Sequence, residues 1–151
     1  MERVVAVEAV YPGNPDDIFS EALDLREMKE SMKGLARYEG LPDRHFKQGD
    51  RFETTVTLFG ILKNTYHVME VETVDHQRRL VQSRESSPAF QRWDHTLTIE
   101  PHPLGALWRD RVVIDTGWST PVSALICRHL YRHRHRQRNA LGIETSITKP
   151  D

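Results

Sequence analysis

The sequence predicts an α+β fold in which a curved antiparallel sheet of about seven strands closes around one long C-terminal helix, with two short helices after the first strand. Three observations predict it. A Val-rich run at residues 3–10 gives way to a helix start at Asn14-Pro15-Asp16-Asp17. About seventy residues of alternating, strand-like sequence follow. The chain then closes with a long helical stretch opening at Thr120-Pro121. A sheet with a single long helix to cover its concave face leaves room for an interior pocket.

The first strand is β-branched and ends at Pro12-Gly13, which punctuates the chain. Asn14 suits an N-cap, Pro15 the first helical position, and Asp16 and Asp17 the positive end of the helix dipole. Ile18, Phe19, Ala22 and Leu23 give this helix an apolar face, and a further turn or two runs through Leu25, Met28 and Met32 to Gly34. A short strand is expected between Leu35 and Leu41.

From Gly49 the pattern has period two. Phe52, Thr54, Val56 and Leu58 share one face of a strand that turns at Phe59-Gly60-Ile61-Leu62. The next strand puts Thr65, His67, Met69 and Val71 on one side. Leu80 to Glu85 forms another after the turn at Asp75-His76-Gln77, and Ser86-Ser87-Pro88 ends it. Trp93, His95, Leu97 and Ile99 alternate with Arg92, Asp94, Thr96 and Thr98, and the turn at Pro101 to Gly105 leads into residues 107–118. For the last helix, Thr120 suits the N-cap and Gly142 the C-terminal stop, with Val122, Leu125, Ile126, Leu130 and Leu141 as its apolar stripe. Residues 1–142 then make one domain and residues 143–151 a loose tail.

Composition excludes several classes. With 21 basic and 22 acidic residues there is no global field to attract nucleic acid. The lone Cys127 rules out an internal disulfide, reads as a packing residue and fits a reducing compartment. No signal-peptide core follows Met1-Glu2-Arg3-Val4, and no apolar run approaches the ~18 residues a bilayer span needs, so a cytoplasmic protein without membrane insertion is expected. Neither a GxSxG, a P-loop nor a GxGxxG is present.

This order of elements resembles the START-like superfamily, also called SRPBCC, over about residues 3–141. The resemblance rests on the strand ending in Tyr11-Pro12, the Asn14-Pro15-Asp16-Asp17-Ile18-Phe19 helix start, the antiparallel strands and the long final helix. It implies a helix-grip fold. Members of the superfamily range from ligand carriers and lipid-transfer proteins to polyketide cyclases and hydrolase-activating regulators, so it implies a ligand in the cavity without naming one, and no resident cofactor.

Strand parity and hairpin pairing identify the candidate site residues. The first hairpin sets His67 opposite Thr54, the second sets Met69 near Glu85, and the third sets His95 opposite Val112 and diagonal to Asp110. If Trp93 and His95 face inward, then His67, Glu85, His95 and Asp110 converge on one apolar pocket, where they could polarise a carbonyl or move a proton. The expected ligand-binding set is Thr54, His67, Met69, Trp93, His95, Trp108, Trp118, Ile126 and Leu130, with His95, Asp110 and Glu85 as the acid/base candidates. Each has an ordinary structural alternative, since buried His and Trp are common sheet-face core residues.

Residues 128–138 carry five Arg and three His with no acid. Three readings stand: a solvated helix end complementing the dipole, a surface for anionic lipid or nucleic acid, and a metal pair at His129 and His133. The first is favoured, because at about 100° per residue the arginines spread around the helix. No metal is therefore expected, and the surface is compatible with a homodimer. The leading functional expectation is binding of a small hydrophobic or aromatic molecule between sheet and C-terminal helix. The alternatives are a cyclase- or dehydratase-like enzyme and an interaction module using the Arg/His-rich helix end.

Overall fold

β1 (Arg3–Tyr11) is paired along both of its edges, with β7 (Gly105–Asp115) on one side and β8 (Gly142–Thr148) on the other. The remaining strands are β2 (Ala36–Glu39), β3 (Arg51–Leu58), β4 (Leu62–Asp75), β5 (Leu80–Ser86) and β6 (Arg92–His102). They complete one antiparallel eight-stranded sheet in the order β2-β3-β4-β5-β6-β7-β1-β8. The computed structural model describes all 151 residues.

Local chemistry accounts for the helices. Asn14 caps α1 (Pro15–Ala22), its side-chain oxygen accepting from the Asp16 N–H at 2.8 Å, and Asp24 caps α2 (Leu25–Ser31) in the same way through Arg26 at 2.9 Å. After Asp115 the chain turns at Gly117, with φ 70°, into one 3-10 turn and then α3 (Thr120–Gln137). Thr120 anchors this junction: its hydroxyl donates to the Gly117 carbonyl at 2.7 Å and accepts from the Thr116 N–H at 2.9 Å. The inward residues of β1 and β7 (Val5, Val7, Val112 and Ile114) pack on Ala124 and Cys127 of α3. A second cluster holds Ile18, Phe19 and Ala22 of α1 against Leu97, Ile99 and Trp108.

Three sequence expectations are corrected here. Residues 143–148 of the expected tail are not loose but belong to β8, registered on β1 from Val10↔Gly142 to Val4↔Thr148. Its Ile143 and Ile147 pack against the core, and the Leu141 N–H donates to the Val10 carbonyl at 2.8 Å. The helix ends at Gln137, and Asn139, with a left-handed φ of 60°, reverses the chain, so Gly142 is already strand. The buried face of α3 is also rotated from the expected stripe. Thr120, Ala124, Cys127, Leu130, Arg134 and His135 are buried, whereas Val122, Leu125 and Leu141 are exposed. The spacing of apolar residues alone does not reveal this face, because it is closed by Thr, Arg and His.

Candidate functional site: a cavity under the C-terminal helix

Between α2, α3 and the concave faces of β2–β6 lies a cavity of about 670 Å³, and 21 of its 30 lining residues are hydrophobic. Leu25 and Met28 of α2, Phe52 and Val56 of β3, Met69 of β4, Leu97 of β6, and Ile126 and Leu130 of α3 supply the apolar wall. Phe90 stands between His67 and Trp93, its ring centroid 5.7 Å from the first and 5.4 Å from the second. The Trp93 indole N–H is buried without a protein acceptor.

The pairings expected from the hairpins are present. Thr54↔His67, Met69↔Glu85 and His95↔Val112 are all cross-strand partners. Pleating then brings His67 Nε2 to 2.6 Å from Glu85 Oε2, and His95 Nε2 to 2.7 Å from Asp110 Oδ1. His67, Glu85 and His95 line the cavity; Asp110 stands behind His95, fully buried. The structure therefore yields two separate His–carboxylate pairs on one cavity wall.

Behind the second pair runs a chain of polar groups that strand parity does not predict. The other Asp110 oxygen accepts from His135 Nε2 at 3.0 Å, and His135 Nδ1 lies 2.6 Å from the Tyr11 hydroxyl. One arrangement of hydrogens satisfies every atom: Tyr11 donates to Nδ1, and Nε2–H donates to the carboxylate. Burial lowers the His135 pKa beyond what its bond to Asp110 restores, with Arg134 and Arg138 pushing the same way, so the ring is neutral at physiological pH. Burial opposes ionisation of Asp110, but hydrogen bonds from His135 and His95 outweigh it and hold the carboxyl well below the usual carboxylate range. Burial pushes the Tyr11 phenol up to about 12, so it stays a donor.

Two α3 arginines close the cluster. Arg134 and Arg138 stack on the Trp108 ring at 4.9 and 4.8 Å, and Arg138 also covers Tyr11 at 5.3 Å. Arg138 pairs with Glu27 and, at 2.7 Å, with Glu21. The expectation of a solvated Arg/His end is thus overturned for Arg134, His135 and Arg138, which face the core. Arg136 is exposed. His133 donates to the Lys33 carbonyl at 3.0 Å, and no group of three or more His, Cys, Asp or Glu is placed to hold a metal ion.

Three residues expected to line the cavity do not. Trp108 is fully buried but sealed from it by the stacked arginines. Trp118 is 92% exposed, because β7 ends at Asp115 and the turn at Gly117 sends the indole outward. Thr54 is buried against β2, its hydroxyl donating to the Glu39 carbonyl at 2.6 Å, beside an irregularity in the β3–β4 register. Tyr38, Tyr131 and Arg134 line the cavity in addition to the expected set; burial pushes both phenols up, so they remain O–H donors.

The family described as "Domain of unknown function (DUF8410)" matches residues 27–140, from α2 through the end of α3. The chain belongs to that DUF8410 family. Its matched segment contains the cavity-lining residues from Met28 to Arg134, whereas the lining residues Ala22 and Leu25, with β1, α1 and β8, lie outside it. Among curated proteins, none matches the sequence. Several solved structures share the fold. Ara h 8.0201 is 11% identical with a TM-score of 0.64, the match covering 90% of this chain and 97% of that one. TTHA0849 from Thermus thermophilus is 16% identical at a TM-score of 0.66, covering 89% and 95%. CV1439 from Chromobacterium violaceum is 12% identical at 0.67, covering 88% and 94%. These likenesses show that the DUF8410 chain has the helix-grip, START-like fold. No helix is long and apolar enough to cross a membrane.

Proposed function

We propose that the chain binds a small hydrophobic or aromatic molecule in the cavity between sheet and α3. The observation that carries this reading is a cavity of about 670 Å³ that is mostly apolar yet is reached by a few polar side chains from β4, β5, β6 and α3. Burial of apolar ligand surface would supply most of the affinity, at roughly 25 cal/mol per Å². A few fixed donors and acceptors would orient the ligand. His67, His95 and the Tyr131 hydroxyl are those groups.

Native mass spectrometry and tryptophan quenching with a panel of fatty acids, aromatic acids and polyketide-like phenols test the reading. One-to-one binding that quenches Trp93 and is lost in Ser83→Trp, which fills the cavity from β5, is the expected result. Failure of the whole panel, or binding that survives the filled cavity, would discard it.

A second reading is favoured by the His95–Asp110 pair. With Nε2–H held by an ionised carboxylate, Nδ1 of His95 is the nitrogen left to take a proton from a bound molecule. Asp110 would orient the ring and stabilise the imidazolium that forms, the division of labour used wherever a His–Asp pair acts as a base. A cyclase- or dehydratase-like step would draw on this pair, with His67–Glu85 as the complementary acid. Turnover of a panel ligand that disappears in His95→Gln, while binding persists, distinguishes enzyme from carrier.

A further inference from the structure

Arg134 is a buried charge that makes no side-chain hydrogen bond. Its side chain is only 8% exposed, on the cavity wall, one turn beyond Leu130. Its buried Nε has no hydrogen-bond partner. The nearest carboxylate oxygen, Glu27 Oε2, is 3.7 Å from Nη2, which is beyond hydrogen-bond range, and the other Glu27 oxygen is engaged by Arg138. The Trp108 face beneath the guanidinium offers a cation–π contact but accepts none of its five N–H groups in a directed bond. Buried guanidinium groups are ordinarily paired and hydrogen-bonded, because an unmet donor keeps its full desolvation cost.

The other acids nearby are committed. Glu85 is bonded to His67, Asp110 to His95 and His135, and Glu21 to Arg138. Tyr38 and Tyr131 also line the cavity, and the field of Arg134 reaches both phenols. An incoming oxyanion would therefore meet a planar two-donor fork and hydroxyls able to turn toward it.

We propose that Arg134 receives a carboxylate carried by the cavity's ligand, so that the ligand class is the hydrophobic carboxylic acids. This rests on the cavity being the binding site, and narrows what occupies it. The apolar wall takes the hydrocarbon or aryl body, and the guanidinium takes the head. Arg134 acts here as the residue that decides between an acid and a neutral molecule of the same shape.

The test compares matched probes at pH 7.5: dodecanoic acid against dodecanamide, and 2-naphthoic acid against 2-naphthamide, on the unmodified protein and on Arg134→Met and Arg134→Lys. The acids are expected to bind at least about tenfold tighter than their amides, the scale of one charge-assisted bidentate contact. Arg134→Met should bring that ratio close to one, and Arg134→Lys should keep part of it. A variant-free measurement runs beside this: the bound acid, 13C-labelled at its carboxyl carbon, should titrate below its free pKa. An unpaired carboxylate in an apolar cavity would titrate above it. Amides that bind as well as acids, or a raised carboxyl pKa, overturn the proposal while leaving the cavity reading intact. Failure of all four probes to bind overturns both.

Discussion

His135 Nδ1 lies 2.6 Å from the hydroxyl of Tyr11, a residue 124 positions earlier in the chain, and both groups are sealed from solvent. The contact ties the last inward residue of β1 to the last buried turn of α3. It also fixes the tautomer that lets His135 hold Asp110, and through Asp110 the cavity residue His95. A polar chain that runs from the core to a pocket makes stability and site geometry depend on the same hydrogen bonds.

The acid limit of stability should be set in part by this chain. His135 has its pKa lowered in the folded state from an ordinary value of 6.5. Unfolding lets it take up a proton, so its contribution is complete above about pH 6.5 and is lost as pH falls below that. Asp110, also lowered, adds a second loss below the ordinary carboxyl pKa of 3.8. Thermal melts from pH 8 to pH 5 should show a falling midpoint for the unmodified protein and a flatter profile for His135→Gln. Parallel profiles would show that His135 is not the group responsible.

Asp110, the shared acceptor behind the cavity wall, should tolerate loss of its carboxylate poorly. Asp110→Ala leaves two imidazoles facing a void with no acceptor, and a loss of about 3 kcal/mol is expected, the scale for removing one member of a buried charged network. Asp110→Asn keeps the shape, but its amide can accept from one histidine only and must donate to the other, so a smaller loss is expected. Urea midpoints for the two variants check the order, and an Ala variant no less stable than Asn would contradict it.

The helix end divides by residue, not by charge. Arg138, paired with Glu27 and Glu21 and stacked on Trp108 and Tyr11, should cost about 2–3 kcal/mol on truncation to alanine. Arg136, exposed on the same turn, should leave the urea midpoint where it was. Equal effects of Arg136→Ala and Arg138→Ala would mean that the run acts through its summed charge after all.

Most of the frame is legible in the sequence, and the reasons for the exceptions are specific. The Asn14 and Pro15 start of α1, the hairpin pairings of His67 with Thr54, Met69 with Glu85 and His95 with Val112, and the long α3 rest on local rules of capping and period-two alternation, and each is present. Arg134 and His135 look solvated in the sequence because arginine and histidine in a run rarely face inward. Only the distant Trp108, Glu27 and Tyr11 make that orientation favourable. Trp118 points inward only if strand parity is extended three residues past Asp115, where Gly117 has already ended it. In β8 the signal is present, since Ile143, Thr145, Ile147 and Thr148 are β-branched, but the pairing partner is the N-terminal strand.

That partner makes β8 a testable part of the fold. The strand covers the outer edge of β1 from Val4 to Val10, and its Ile143 and Ile147 pack on the cluster that contains Cys127. Removing residues 142–151 would leave the β1 N–H and C=O groups of that edge without partners and uncover apolar side chains beneath them. An exposed edge of this kind is a template for pairing with another chain. The truncated protein should lose at least about 2 kcal/mol, the burial of two partly covered isoleucines, and should self-associate at concentrations where the full chain does not. Urea unfolding and light scattering measure the two effects. Ile143→Lys in the full chain should lower stability without the self-association, because the edge stays covered. If the truncation is as stable and as monodisperse as the full chain, β8 is an appendage and the β1–β7 core is sufficient without it.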